Sequence, residues 1–127
     1  MIRNLAAAIF MLPVAATADG MKIELNGVSV QEGACRLVFT AESDAGVEGL
    51  VLETALFDTS GAVLLLTLFD FVDLPAGNLR VRQFDIADQP CAEVGRILFN
   101  GIESCAGMGC DAPLSVASRV EAVEVLG

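Results

Sequence analysis

From Lys22 onward the chain runs in short stretches of apolar and polar positions, broken by Gly, Pro, Asn and Asp. The clearest is Ala34–Glu42, where Cys35, Leu37, Phe39 and Ala41 fall on one face and Arg36, Thr40 and Glu42 on the other. A period of two marks a half-buried strand. The same reading places strands near Lys22–Gln31, Leu50–Phe57, Asn78–Ile86 and Val94–Ile102. In the first of these a parity shift at Asn26-Gly27 predicts a bulge. Ala62–Phe71 is almost continuously apolar, which predicts a strand covered on both faces. The last segment, Ser115–Leu126, has Val116, Val120 and Val123 at helical spacing, but its β-branched content predicts a strand.

The turns carry their own chemistry. Asp58-Thr59-Ser60-Gly61 puts Asp first and Gly fourth, the preference of a type I turn, and Leu74-Pro75-Ala76-Gly77 is a second turn signal. Together the segments predict an all-β fold, an immunoglobulin-like antiparallel β-sandwich of about seven strands.

The N-terminus reads differently. Met1-Ile2-Arg3-Asn4 is followed by an apolar stretch from Leu5 to Val14 and a small-residue site at Ala16-Thr17-Ala18. That is the layout of a secretory signal peptide cleaved after Ala18. The apolar stretch is about half the roughly 20 residues that a spanning helix needs, so no stable membrane insertion is expected after cleavage. The expected organisation is a signal peptide over 1–18 and one sandwich domain over 19–127, of 127 − 18 = 109 residues. Without Arg3 the side-chain charge of that domain is 6 − 17 = −11. Such acidity argues against nucleic acid as a partner. Localisation is expected to be periplasmic or secreted.

Four cysteines allow three pairings. Alternating strand directions put Cys35, at the start of the second predicted strand, and Cys91, just before the sixth, at one end of the sandwich. Cys105 follows the sixth strand and falls at the opposite end, on the order of 30 Å away. A disulfide tolerates about 7 Å between Cα atoms. Only Cys35–Cys91 with Cys105–Cys110 satisfies both conditions, and an oxidising compartment favours their formation. The competing use of Cys105-Ala106-Gly107-Met108-Gly109-Cys110 is a copper(I) site of thiolates and a thioether, with Met108 as the third donor.

The remaining chemistry is sparse. The chain has no histidine, Trp or Tyr, which removes Ser-His-Asp and Cys-His mechanisms and large aromatic platforms. Lys22 is its only lysine and reads as a surface charge. Asp70 with Asp73, and Asp85 with Asp88, flank the connections after the fourth and fifth strands. They are candidates for an acid/base pair or a calcium site, although the two connections fall at opposite ends. Arg36, Arg80, Arg82, Arg96 and Arg119 sit on predicted strands, where pairing with Asp or Glu is expected. Arg80 and Arg82 share one face and form a candidate contact for an acidic partner. Val63–Leu66 with Leu68 and Phe69 place apolar side chains on both faces, so Leu64, Leu66 and Phe69 are candidate contacts for a protein partner or a second copy.

The stretch Leu56-Phe57-Asp58-Thr59-Ser60-Gly61-Ala62-Val63, followed by Leu74-Pro75-Ala76-Gly77, resembles the Phe/Tyr-Asp-x-x-Gly and Leu-x-x-Gly rhythm of bacterial FxLYD-type sandwich domains. The whole chain also resembles small secreted alphaproteobacterial proteins labelled "Tat pathway signal sequence domain protein". The shared features are Gly33-Ala34-Cys35-Arg36, Cys91 followed by Val94-Gly95-Arg96, and the Cys105/Cys110 loop. A twin-arginine signal is absent, since Arg3 stands alone, and the general secretory route is expected instead. The resemblance implies fold and compartment and carries no catalytic residues. The expectation is a non-enzymatic exported module, without cofactor, that binds a protein or assists envelope assembly. The alternatives are a periplasmic copper-handling protein using the Cys105–Cys110 loop and a carboxylate enzyme.

Overall fold

The computed structural model describes residues 20–127; the expected signal peptide and its cleavage point lie outside the described residues. Eight strands follow in order: β1 Met21–Gln31, β2 Ala34–Ser43, β3 Val47–Asp58, β4 Val63–Leu74, β5 Arg80–Ala87, β6 Val94–Ala106, β7 Leu114–Ser118 and β8 Glu124–Leu126. Short 3-10 turns, Cys91–Glu93 and Met108–Asp111, precede and follow β6. The strands form two four-stranded sheets, β5-β2-β1-β7 and β4-β3-β6-β8, packed face to face as an all-β sandwich.

Two features depart from the expected seven antiparallel strands. The segment from Ser115 to Leu126 is not one strand but two, because the chain crosses from one sheet to the other. Ser118 Oγ accepts from Val120 N–H, and Val123 N–H donates to Val120 C=O, which closes a turn between β7 and β8. β7 runs parallel to β1 and β8 runs parallel to β6, so the sheets are mixed. Arg119 consequently lies in the turn after β7 rather than on a strand.

Local signals act where the sequence places them. The β1–β2 register shifts between Leu25 and Gly27, which is the bulge at Asn26-Gly27. Gly61 N–H donates to Asp58 C=O, and Gly61 takes φ +94°, a left-handed conformation open to glycine at little cost.

The core fills the space between the sheets. Alternate residues of β2 point inward, namely Cys35, Leu37, Phe39 and Ala41. They meet Leu50, Leu52 and Leu56 of β3, Phe69 and Phe71 of β4, and Ile97 and Phe99 of β6. Phe39 stands at the centre, edge-on or tilted to Phe69, Phe71, Phe84 and Phe99 with centroids 5.7–6.0 Å away. Phe69 and Phe84 stack at 4.2 Å. Such pairs add about 0.5–1.5 kcal/mol each beyond area burial. The two buried polar side chains among the described residues, Ser43 and Thr54, are both satisfied: Ser43 Oγ accepts from Gly46 N–H and Thr54 Oγ1 donates to Leu52 C=O.

Disulfides close both ends. Cys35 bonds Cys91 across a Cα separation of 5.0 Å, and Cys105 bonds Cys110 across 5.9 Å. The first ties the start of β2 to the turn before β6. The second cinches the loop after β6, where Gly109 lies against Ser43 and Val47. Two disulfides place the chain in an oxidising, extracytoplasmic compartment. No helix among the described residues is long and apolar enough to cross a membrane.

Candidate interaction surface

β4 is an edge strand, with β3 on one side and no strand of the described residues on the other. The expectation that it is covered on both faces is therefore corrected. Its inward residues are Leu65, Thr67, Phe69 and Phe71, set by pairing with the inward Leu56, Thr54 and Leu52 of β3. Phe69 is only 2% exposed and belongs to the core, so it is not a partner contact. Leu64 also packs against the core, because a register shift beside Leu56 turns it inward. Leu66 and Leu68 point outward and are 67% and 52% exposed.

The register shows what Leu66 joins. It faces Ala55 of β3, Ala55 faces Leu98 of β6, and Leu98 faces Leu126 of β8. One apolar row thus crosses the outer face of the whole sheet. Ala55 is 4% exposed although it points away from the core, because Leu66 and Leu98 flank it. Beside this row, Val63 faces Phe57, Arg96 lies over the Phe57 ring, and Arg96 pairs with Glu124 at 2.7 Å. The apolar character therefore gathers toward β4. Val63, Leu65, Leu66, Leu68 and Val72 of β4 are five of the eleven exposed large apolar side chains of the described residues.

The second half of β4 is closed. Val72 has φ +51°, a costly conformation for a β-branched residue. It is held by its own N–H donating to Asp70 Oδ1, while Asp73 Oδ1 accepts from Gly49 N–H. Arg82, from β5 in the other sheet, donates through Nε to Phe71 C=O at 2.7 Å and through Nη2 to Asp73 C=O at 2.8 Å. This corrects Arg82 as a partner contact and leaves Arg80, whose one hydrogen bond is exposed and local, as a candidate. They do share a face of β5, but it is the half-buried one that continues into Phe84 and Ile86. Arg82 rivets the two sheets together, and Arg80 donates to the carbonyl of Leu79.

Several other charged groups are also engaged locally. Arg36 pairs with Asp85 through two hydrogen bonds, and that bond, followed by the Arg36 charge, holds the Asp85 carboxyl below its ordinary range. Arg119 pairs with Glu24. Asp58 Oδ1 accepts from Ser60 Oγ, Ser60 N–H and Ala62 N–H, and these bonds, the Ser60 hydroxyl first, lower its pKa. Of the candidate acid/base carboxylates, Asp70, Asp73 and Asp85 each satisfy a different partner. Asp88 N–H donates to Gly33 C=O at the end of the sandwich away from Asp73, so the two candidate pairs form no joint site. Among the described residues no three His, Cys, Asp or Glu side chains gather at metal-binding distance. With Cys105 and Cys110 bonded to each other the loop presents no thiolate, and Met108 projects into solvent.

A groove of about 550 Å³ lies on the outer face of the other sheet, lined by Lys22, Glu24, Thr40, Glu42, Ser115 and Arg119. Its charges are mixed, and beneath it run β1, β2 and β7. No family model, curated protein or solved structure matches this chain.

Proposed function

We propose that this chain is an exported, non-enzymatic, immunoglobulin-like module that binds a protein, in the periplasm or outside the cell, through the β4 edge and the adjoining outer face. One observation carries the reading. Val63–Phe69 is an edge strand without a charge, a proline or a covering segment among the described residues, and it borders an apolar row across the sheet. Native sandwiches ordinarily guard such an edge with charges, prolines or bulges; bulges at Leu64 and Val72 flank this one, and Leu65–Phe69 between them carries no such guard. An unguarded edge serves strand addition by a partner. The absence of histidine from the whole chain and the separate engagement of the carboxylates support a non-enzymatic role. A function in envelope assembly accords with both features.

The test is chemical crosslinking in envelope extract, comparing wild type with Leu66→Lys. A protein crosslinked by wild type and lost in the variant supports the reading. Equal crosslinking by both, or none by either, refutes the surface.

A further inference from the structure

We propose that Met108 is an oxidative modification site: its thioether takes one oxygen atom from a peroxide-class oxidant and becomes methionine sulfoxide while the fold stays intact. This stands apart from the β4 edge and does not depend on it.

The sandwich is poor in readily oxidised groups. The chain has no histidine, Trp or Tyr, and among the described residues no cysteine is free. Thioethers are what remains. Met1 and Met11 fall in the expected signal peptide, outside the described residues. Met21 begins β1 inside the core and is 1% exposed, whereas Met108 is 86% exposed. One thioether of the sandwich is sealed and the other stands in solvent.

That exposure is built into the turn. The Cys105–Cys110 bridge closes the loop that carries Met108. The next residue, Gly109, is buried, and its N–H donates to Gly46 C=O at 2.9 Å. A Cβ added to Gly109 would fall 2.8 Å from that carbonyl oxygen and 2.9 Å from a methyl of Val47. With one neighbour pressed against this end of the sandwich and the ring closed covalently, Met108 is held outward. Glycines flank it on both sides, so no adjacent side chain shields the sulfur. Met108 also borders a hollow of about 300 Å³ with Val47, Pro75 and Ala76, which leaves room for the incoming oxidant.

The step balances with peroxide alone. A sulfur lone pair attacks one peroxide oxygen, the O–O bond breaks and an S–O bond forms. The departing oxygen takes the proton of the transferred one and leaves as water. Sulfur is oxidised by two electrons and the peroxide is reduced by two. At Met108 the new polar oxygen meets water. On Met21 it would lie unpaired among buried side chains and disrupt the core. Met108 therefore consumes oxidant at a place where the fold tolerates the product.

Hydrogen peroxide treatment of the full disulfide-intact chain, folded and in urea, tests this by peptide mass mapping over time. Met108 should gain one oxygen when folded at a rate within about twofold of its rate in urea, and Met21 at least about tenfold more slowly than in urea. The chain oxidised at Met108 should keep its melting temperature within about 2 °C, the scatter of an ordinary surface change. Met108→Leu should stay folded and gain no oxygen within residues 20–127 over the same interval. Protection of Met108 in the folded chain overturns the proposal. So does Met21 reacting as fast as Met108, an equal oxygen uptake by Met108→Leu, or a melting temperature that falls in step with Met108 oxidation.

Discussion

Arg82 offers the sharpest contrast between a contact residue and a structural one. Its guanidinium reaches from β5 to two carbonyls of β4, and among the described residues no backbone N–H of a neighbouring strand lies beyond that edge to replace it. Replacing Arg82 by Met keeps most of the stem and removes both donors. Hydrogen bonds from a charged group contribute about 1.5–3 kcal/mol each when well buried. Here one bond is half-buried and the other exposed, so water recovers part of the loss. The two together amount to about 2 kcal/mol, and at roughly 4 °C per kcal/mol for a domain of this size the melting temperature should fall by about 8 °C. Arg82→Lys should fall in between, since an ammonium cannot span both carbonyls. Urea unfolding followed by far-ultraviolet circular dichroism measures this directly. If Arg82→Met stays within about 0.5 kcal/mol of wild type, the scatter of an ordinary surface change, the rivet is wrong and Arg82 returns to the list of contact candidates.

Removing the Cys35–Cys91 bridge should cost about 4 kcal/mol and removing Cys105–Cys110 about 2, from the loop lengths that each closes; paired Cys→Ala variants in denaturant check the order, and equal losses would contradict the chain-entropy account. Gly95→Ala should destabilise by about 1–3 kcal/mol, because its added Cβ would lie 2.9 Å from Asp58 C=O and Thr59 Cα, which are backbone atoms unable to move aside; thermal melts report it. Asp58 and Asp85 both have lowered pKa values when folded, so the stability they contribute is fully present above the unfolded carboxyl value, about 3.9. It is lost as pH falls through their lower folded values. Asp58→Asn should therefore flatten the acid limb of a melting-temperature profile between about pH 5 and pH 2, and an unchanged limb would contradict the turn's role.

The sandwich was legible because period two is a strong signal where one face is wet. In Ala34–Ser43 every other residue is buried, as the alternation requires. The bulge at Gly27 and the Asp58–Gly61 turn were equally readable, since each depends on local backbone chemistry. Two things were not. β4 reads as continuously apolar, and such a run signifies either a strand covered on both faces or an edge with an uncovered outer face; only the sheet order separates them. The split of Ser115–Leu126 into β7 and β8 was hidden because β-branched residues specify extended backbone without specifying which sheet receives it. The inward aim of Arg82 was hidden for a related reason. Alternation placed Arg80, Arg82, Phe84 and Ile86 on one face, and that shared face with two core side chains was the available clue that the arginines point between the sheets.

Amide hydrogen–deuterium exchange resolved along β4, with and without envelope extract, tests the account most directly. The edge amides of Leu65–Phe69 that point away from β3 should exchange fast in the chain alone and gain protection when envelope extract is added, while those of β7 and β8 stay constant. Edge amides that stay fast with envelope extract added, or protection appearing on β7 and β8 instead, would contradict it.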